Sequence, residues 1–173
     1  LSRLAIEMEE MPSQYERNSN EKRDESAMKF FTSRNYSVSD GNGHVYGYGR
    51  SIWAMIDTET RQPTDIYAID NGAIDKWIVA DKPCPIEKSS RVKMTENAGF
   101  VRCIDINYND IDINGHVNSV KYIEHVLDLW DVAWYREHRL KRFEIAYVAE
   151  THQGDRLDFY REQTGENEYC VRL

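Results

Sequence analysis

At 173 residues with 40% hydrophobic composition, the chain is long enough to bury a core as one large domain or two small ones. Its formal net charge of -8 argues against a nucleic-acid duplex as partner, because duplex binding rewards a basic surface. No apolar run approaches the length of a bilayer span, and Leu1-Ser2-Arg3-Leu4 lacks the basic-then-apolar pattern of a secretory signal. The three cysteines, Cys84, Cys103 and Cys170, are too widely spaced for a disulfide framework or a zinc knuckle. The expectation is a soluble cytoplasmic protein, with no membrane association, metal or cofactor.

In chain order, Leu4, Ile6 and Met8 alternate with Ala5 and Glu7 as in a half-buried strand, and Pro12 ends it. Residues 13–25 are almost wholly polar and read as a long exposed loop. Residues 30–38 read as a strand, Asp40-Gly41-Asn42-Gly43 as a tight turn, and residues 44–56 as the returning strand. Within the returning strand, Gly47 and Gly49 point to a bulge or to close approach of another backbone. Thr60-Arg61-Gln62-Pro63 reads as a turn, and residues 66–79 stay open between a short helix and irregular packing. Pro83, Pro85 and the polar stretch after them form the best linker. The expected division is a first domain over 1–86, a linker over 87–98 and a second domain over 99–173.

In the second half, residues 100–107 read as a strand. Val120, Ile123, Leu127, Trp130 and Trp134 recur at intervals of three and four and predict one helix with a single apolar face, capped by Asn118 or Ser119. Strands follow over 143–148, 156–161 and 169–173. One apolar helix followed by antiparallel strands implies an α+β sheet wrapped around that helix.

The chemistry concentrates before the helix. Asp112, Asn114 and His116 fall on alternate residues, so an extended segment would present carboxylate, amide and imidazole on one side. A helix start supplies unpaired N–H groups and a positive dipole end, which suit an oxygen that gains charge in acyl transfer. Asp, Asn and Gly are also the ordinary residues of turns and caps, and a lone His there is more often a capping or surface group, so the pattern by itself favours a structural role and leaves a catalytic one open.

The segment Asp112-x-Asn114-x-His116-Val117-Asn118, followed by Val120-Lys121-Tyr122-Ile123, resembles the hallmark of the fatty acyl–acyl carrier protein thioesterases of bacterial type, built from tandem hot-dog domains. Tyr147-Val148-Ala149-Glu150 resembles the strand on which that family carries an essential glutamate, and Gly154-Asp155 follows it. Ser33-Arg34-Asn35-Tyr36, Asp40-Gly41, Ser51-Ile52-Trp53, Asp57 and Arg61-Gln62-Pro63 resemble its first-domain hairpin. Against that pattern, the chain begins after the first domain's opening strand and central helix and ends before the last strand. The polar residues 17–25 replace a strand bearing a tryptophan. Thr151 stands where the family often has a cysteine, which removes a thiol nucleophile from that position.

The resemblance implies hydrolysis of a fatty acyl thioester on acyl carrier protein by direct attack of water. Glu150 would be the general base, with His116 the alternative for that role; Asn114 would hold the water, His116 would polarise the thioester or protonate the departing thiolate, and Asp112 would orient His116 and Asn114. Backbone N–H groups of Val117 and Asn118 are the expected oxyanion donors. Arg136, His138, Arg139, Lys141 and Arg142 form the densest basic stretch, which would either meet an acidic carrier protein or serve only as a solvated helix end and loop. An acyl-coenzyme A thioesterase and a non-catalytic carrier-binding protein of the same fold are the alternatives, and a homodimer is left open.

Overall fold

Ala5 is fully buried at the middle of β1 (Arg3–Met8), the strand around which the first sheet is organised. In the computed structural model, which describes residues 1–173, the elements that follow are β2 (Asn18–Met28), β3 (Phe31–Asp40), β4 (Val45–Ala54) and β5 (Gly99–Asp105). After these come helices α1 (Ser119–Leu127) and α2 (Val132–Glu137), then β6 (Arg142–Ala146), β7 (Arg156–Gly165) and β8 (Glu168–Arg172). The chain divides into two units, one of Leu1–Ser89 with Leu140–Tyr147 and one of Ser90–Arg139 with Val148–Leu173.

The first unit is a five-stranded antiparallel sheet in the order β2-β3-β4-β1-β6. Its hairpin between β3 and β4 lies where the sequence predicts it. The Asp40 carboxylate accepts from the N–H groups of Asn42 and His44, both at 2.8 Å, and Gly43 takes a left-handed φ of 90°. At Gly47 a Cβ would sit 2.5 Å from the Glu7 carbonyl oxygen, so the close backbone approach expected there is present.

Residues 18–25, expected as part of an exposed loop, belong instead to β2, which pairs with β3 from Asn18 opposite Asp40 to Met28 opposite Phe31. Hydrophobic periodicity is silent there because polar contacts accompany the backbone ladder. Asp24 pairs with Arg34 at 3.0 Å. An irregularity between Asp24 and Ser26 sets Glu25 against the buried Arg50 at 2.8 Å, with Ser33 Oγ and the Cys84 N–H donating to the same carboxylate. Burial pushes the Glu25 carboxyl up, but these donors and the Arg50 charge outweigh it and hold it below the usual range.

Residues 66–77 are 3-10 turns broken by left-handed Asp70, Asn71 and Gly72. β6 returns the chain to the first sheet. Although it follows the helices in sequence, it pairs with β1, with Arg3 opposite Ala146 and Glu7 opposite Arg142. Arg142 bonds Glu7 at 2.7 Å and Glu144 at 2.6 Å, and residues 140–147 pack with the first unit.

In the second unit β5, β7 and β8 form an antiparallel sheet around the fully buried Phe159. The single helix expected over residues 120–134 is two helices. The Asp131 carboxylate accepts from the Trp134 N–H at 2.8 Å and caps α2, which interrupts the chain after α1. The break shifts the apolar face. Val120 is 54% exposed, whereas Val126 and Leu129 are buried. Arg161 of β7 lies over the Trp130 ring and donates to the Leu129 carbonyl, which seats the helical segment on the sheet. No helix is long and apolar enough to cross a membrane.

Candidate active site

The loop that carries the sequence motif is anchored at both ends. Asp110, buried before it, accepts from the Asn107 N–H at 2.9 Å and meets His125 Nε2 of α1 at 2.8 Å, while its carbonyl accepts from the Asn118 N–H at 2.8 Å. Burial pushes the Asp110 carboxyl up, but the Asn107 N–H and the His125 ring outweigh it and hold it below the usual carboxylate range. Asn118 caps α1 by accepting from the Val120 N–H at 2.9 Å, one of the two caps the sequence offers.

Between these anchors the chain turns rather than extending. Ile111 bridges Val117, the Asp112 N–H donates to the His116 carbonyl at 2.8 Å, and Gly115 takes a φ of 82°. The Asp112 carboxylate fills the turn, accepting from the backbone N–H groups of Asn114 at 2.8 Å and His116 at 3.4 Å and from the Asn114 amide at 3.5 Å. Burial raises its proton affinity, but these donors and the electrostatic pull of His116 outweigh that, so the Asp112 carboxyl is held below the usual range. Asp112 therefore braces the backbone that carries His116 and Asn114. The common side expected from an extended segment is replaced by a closed loop with Ile113 and Asn114 exposed at its tip.

Glu150 reaches this loop from a distant part of the sequence. The Val117 N–H donates to the Thr151 carbonyl at 2.8 Å, which ties residues 148–155 to the loop. His116 Nε2 and Glu150 Oε2 stand 3.3 Å apart, their side chains 26% and 50% exposed, so water reaches the pair. Glu150 lies beyond the end of β6 in irregular chain, not on a strand as the sequence implied. The expected oxyanion donors do not hold. The Val117 N–H is bonded to Thr151 and the Asn118 N–H to Asp110, so neither backbone group is open to a developing charge.

Sequence reasoning missed His152. Its ring meets that of His116 edge-on, with centroids 4.9 Å apart at 77°, and its backbone N–H donates to Asp155 Oδ2 at 2.8 Å. Its spacing two residues after Glu150 was the signal available. His125 and Asp110 were missed too, since a helix histidine and a loop aspartate are unremarkable until α1 brings them together. His116, Glu150 and His152 together make a set of donors that could hold a cation. Of the basic stretch, Arg136 and Arg139 are exposed, whereas Lys141 faces Glu9 at 3.5 Å and Arg142 is held by Glu7 and Glu144.

Comparison with known proteins bears on this geometry. Residues 93–172 match the model of the acyl-ACP thioesterase C-terminal domain, and residues 1–69 that of the N-terminal domain. A solved acyl-ACP thioesterase from Bacteroides thetaiotaomicron is 49% identical with a TM-score of 0.89, over 98% of this chain and 68% of that one. The 12:0-ACP thioesterase of Umbellularia californica, 19% identical, shares the fold with a TM-score of 0.82 over 95% of this chain and 65% of its own. The chloroplastic palmitoyl-acyl carrier protein thioesterase of Arabidopsis thaliana is 30% identical over 121 residues, 68% of this chain. The chain spans 29% of that plant protein's length. The architecture is the α+β tandem hot-dog fold that the sequence resemblance implied.

Proposed function

The chain belongs to the acyl-ACP thioesterase family, and from that premise we propose that the protein hydrolyses a fatty acyl thioester carried by acyl carrier protein, releasing the free fatty acid and ending chain elongation. The observation that carries this reading is the 3.3 Å approach of His116 Nε2 to Glu150 Oε2 beside the loop braced by Asp112.

In this reading Glu150 takes a proton from a water held by the Asn114 amide, and the water oxygen adds to the thioester carbonyl carbon. Collapse of the tetrahedral adduct breaks the carbon–sulfur bond. The proton taken by Glu150 passes through His116 to the departing thiolate, leaving a carboxylic acid and a free thiol. Asp112 is a positioning residue, acting on the backbone of His116 and Asn114 rather than on the imidazole. The first domain holds the acyl chain and the second performs the chemistry. An exposed Arg136 and Arg139 supply local positive charge for an acidic carrier protein despite the net charge of -8. A cytoplasmic site of action belongs to the same proposal, supported by the three free thiols.

The deciding experiment is hydrolysis of one acyl chain presented on acyl carrier protein and on coenzyme A, followed by release of thiol. Faster turnover on the carrier protein is expected. Equal or faster turnover on coenzyme A would remove the carrier protein from the proposal, and release from neither would remove the enzyme.

A further inference from the structure

His116 and His152 each bring a ring nitrogen, and Glu150 a carboxylate oxygen, to positions that all lie within 4.8 Å of one another. Tetrahedral zinc with bonds of about 2.0–2.2 Å spaces its ligand atoms about 3.3 Å apart. The edge between His116 Nε2 and Glu150 Oε2 is already 3.3 Å, so small side-chain rotations would close the rest of the triangle. The crossing of the two imidazoles at 77° lets in-plane nitrogen donors meet one ion from different directions. Two imidazoles and a carboxylate form a donor set well suited to zinc, with a fourth position left to water. Asp155 adds negative charge behind the set, its Oδ2 lying 3.8 Å from His152 Nδ1. The side chains of Glu150 and His152 are 50% and 56% exposed, so an ion can enter from solvent.

We propose that a divalent transition-metal ion, zinc being the best fitted, binds His116, Glu150 and His152 and switches hydrolysis off. The binding half stands on geometry alone; the inhibitory half rests on the function proposed above, because the ion takes the imidazole lone pair and the carboxylate which that reaction uses. His152 has no part in that reaction, so it separates metal binding from turnover.

The test uses the full-length protein freed of metal by dialysis against a chelator. Zinc affinity is read by competition with a chromogenic chelator, and cobalt(II) absorption reports the ligand type. The wild type is expected to take up one equivalent that His152→Ala binds about 100-fold more weakly or worse, with cobalt bands of nitrogen and oxygen ligands and no thiolate charge transfer. At ten times the dissociation constant, turnover of the wild type should fall about tenfold and return on adding chelator. His152→Ala should turn over normally and resist the same zinc. Equal zinc binding by the two proteins, or a thiolate spectrum, would overturn the site. Binding without inhibition, or faster turnover with zinc, would overturn the switch. If the protein hydrolyses no acyl thioester, the proposed function fails, and the difference in zinc affinity still decides the site.

Discussion

The backbone N–H of Val117 donates to the carbonyl of Thr151 at 2.8 Å, and this bond joins the motif loop to the segment carrying Glu150. Because Thr151 directly follows Glu150, fixing its carbonyl fixes where the carboxylate begins, and the 3.3 Å contact with His116 follows. Glu150→Gln preserves size and the backbone bond while removing the base. Turnover should drop by about two to four orders of magnitude with acyl-substrate binding retained. His116→Ala should cost a similar amount, and the double variant little more than either alone, since the two act as a unit. Single-turnover kinetics with a separate binding measurement check this; near-normal rates in Glu150→Gln would end its assignment as base.

Asp112 makes a different prediction. Its oxygens hold the N–H groups of Asn114 and His116, so Asp112→Ala loosens both side chains together. A displacement of about 1 Å at a reacting group costs about 100-fold in rate. Asp112→Asn keeps an acceptor for the same N–H groups and should recover much of the loss. If both variants lose activity equally, charge rather than bracing is what Asp112 supplies.

For Asp110 the direction of the shift sets the sign of the pH effect. A carboxyl held low in the folded state contributes stability that is present above its ordinary value of about 3.9 and is lost as pH falls through the folded-state value. Asp110→Asn should cost about 2 kcal/mol at neutral pH, where a charged hydrogen-bond acceptor is removed. The gap between wild type and variant should narrow on acidification below the ordinary aspartate value. Denaturant unfolding at neutral and acid pH measures it, and a gap that widens in acid would contradict the direction.

Glycine substitutions test the register of the first sheet. A side chain at Gly47 meets the Glu7 carbonyl on β1, so Gly47→Val should destabilise by about 3 kcal/mol. Gly41 has nothing within 4 Å of an added Cβ, and Gly41→Ala should be near neutral. Thermal unfolding of the pair distinguishes strand crowding from a general dislike of substitution in the hairpin.

What could be read from the sequence was local. The Asp40 turn, the Gly47 approach and the Asn118 cap rest on residues whose partners are a few positions away or on glycine's lack of a side chain, and each leaves a compositional mark. The motif at 112–118 was legible as residue types suited either to a turn or to an extended site, and alternation alone does not reveal that Asp112 would bond the backbone of His116 and close the turn. β2 was hidden because its strand character comes from β3 and from ion pairs, not from apolar alternation. The helix break at Asp131 was hidden because an apolar spacing of three and four continues across it. His152 offered only its spacing two residues after Glu150, and it is the link from Val117 to Thr151 that brings it beside His116.

The pairing of β6 with β1 makes the polypeptide path visit the first unit twice, at residues 1–89 and again at 140–147. A single scission at the junction between Ser89 and Ser90 would therefore not yield two self-sufficient halves. The amino-terminal piece would keep a sheet with one border stripped bare, and the carboxy-terminal piece would carry an orphaned strand. Completion of the first sheet must wait until β6 has been made.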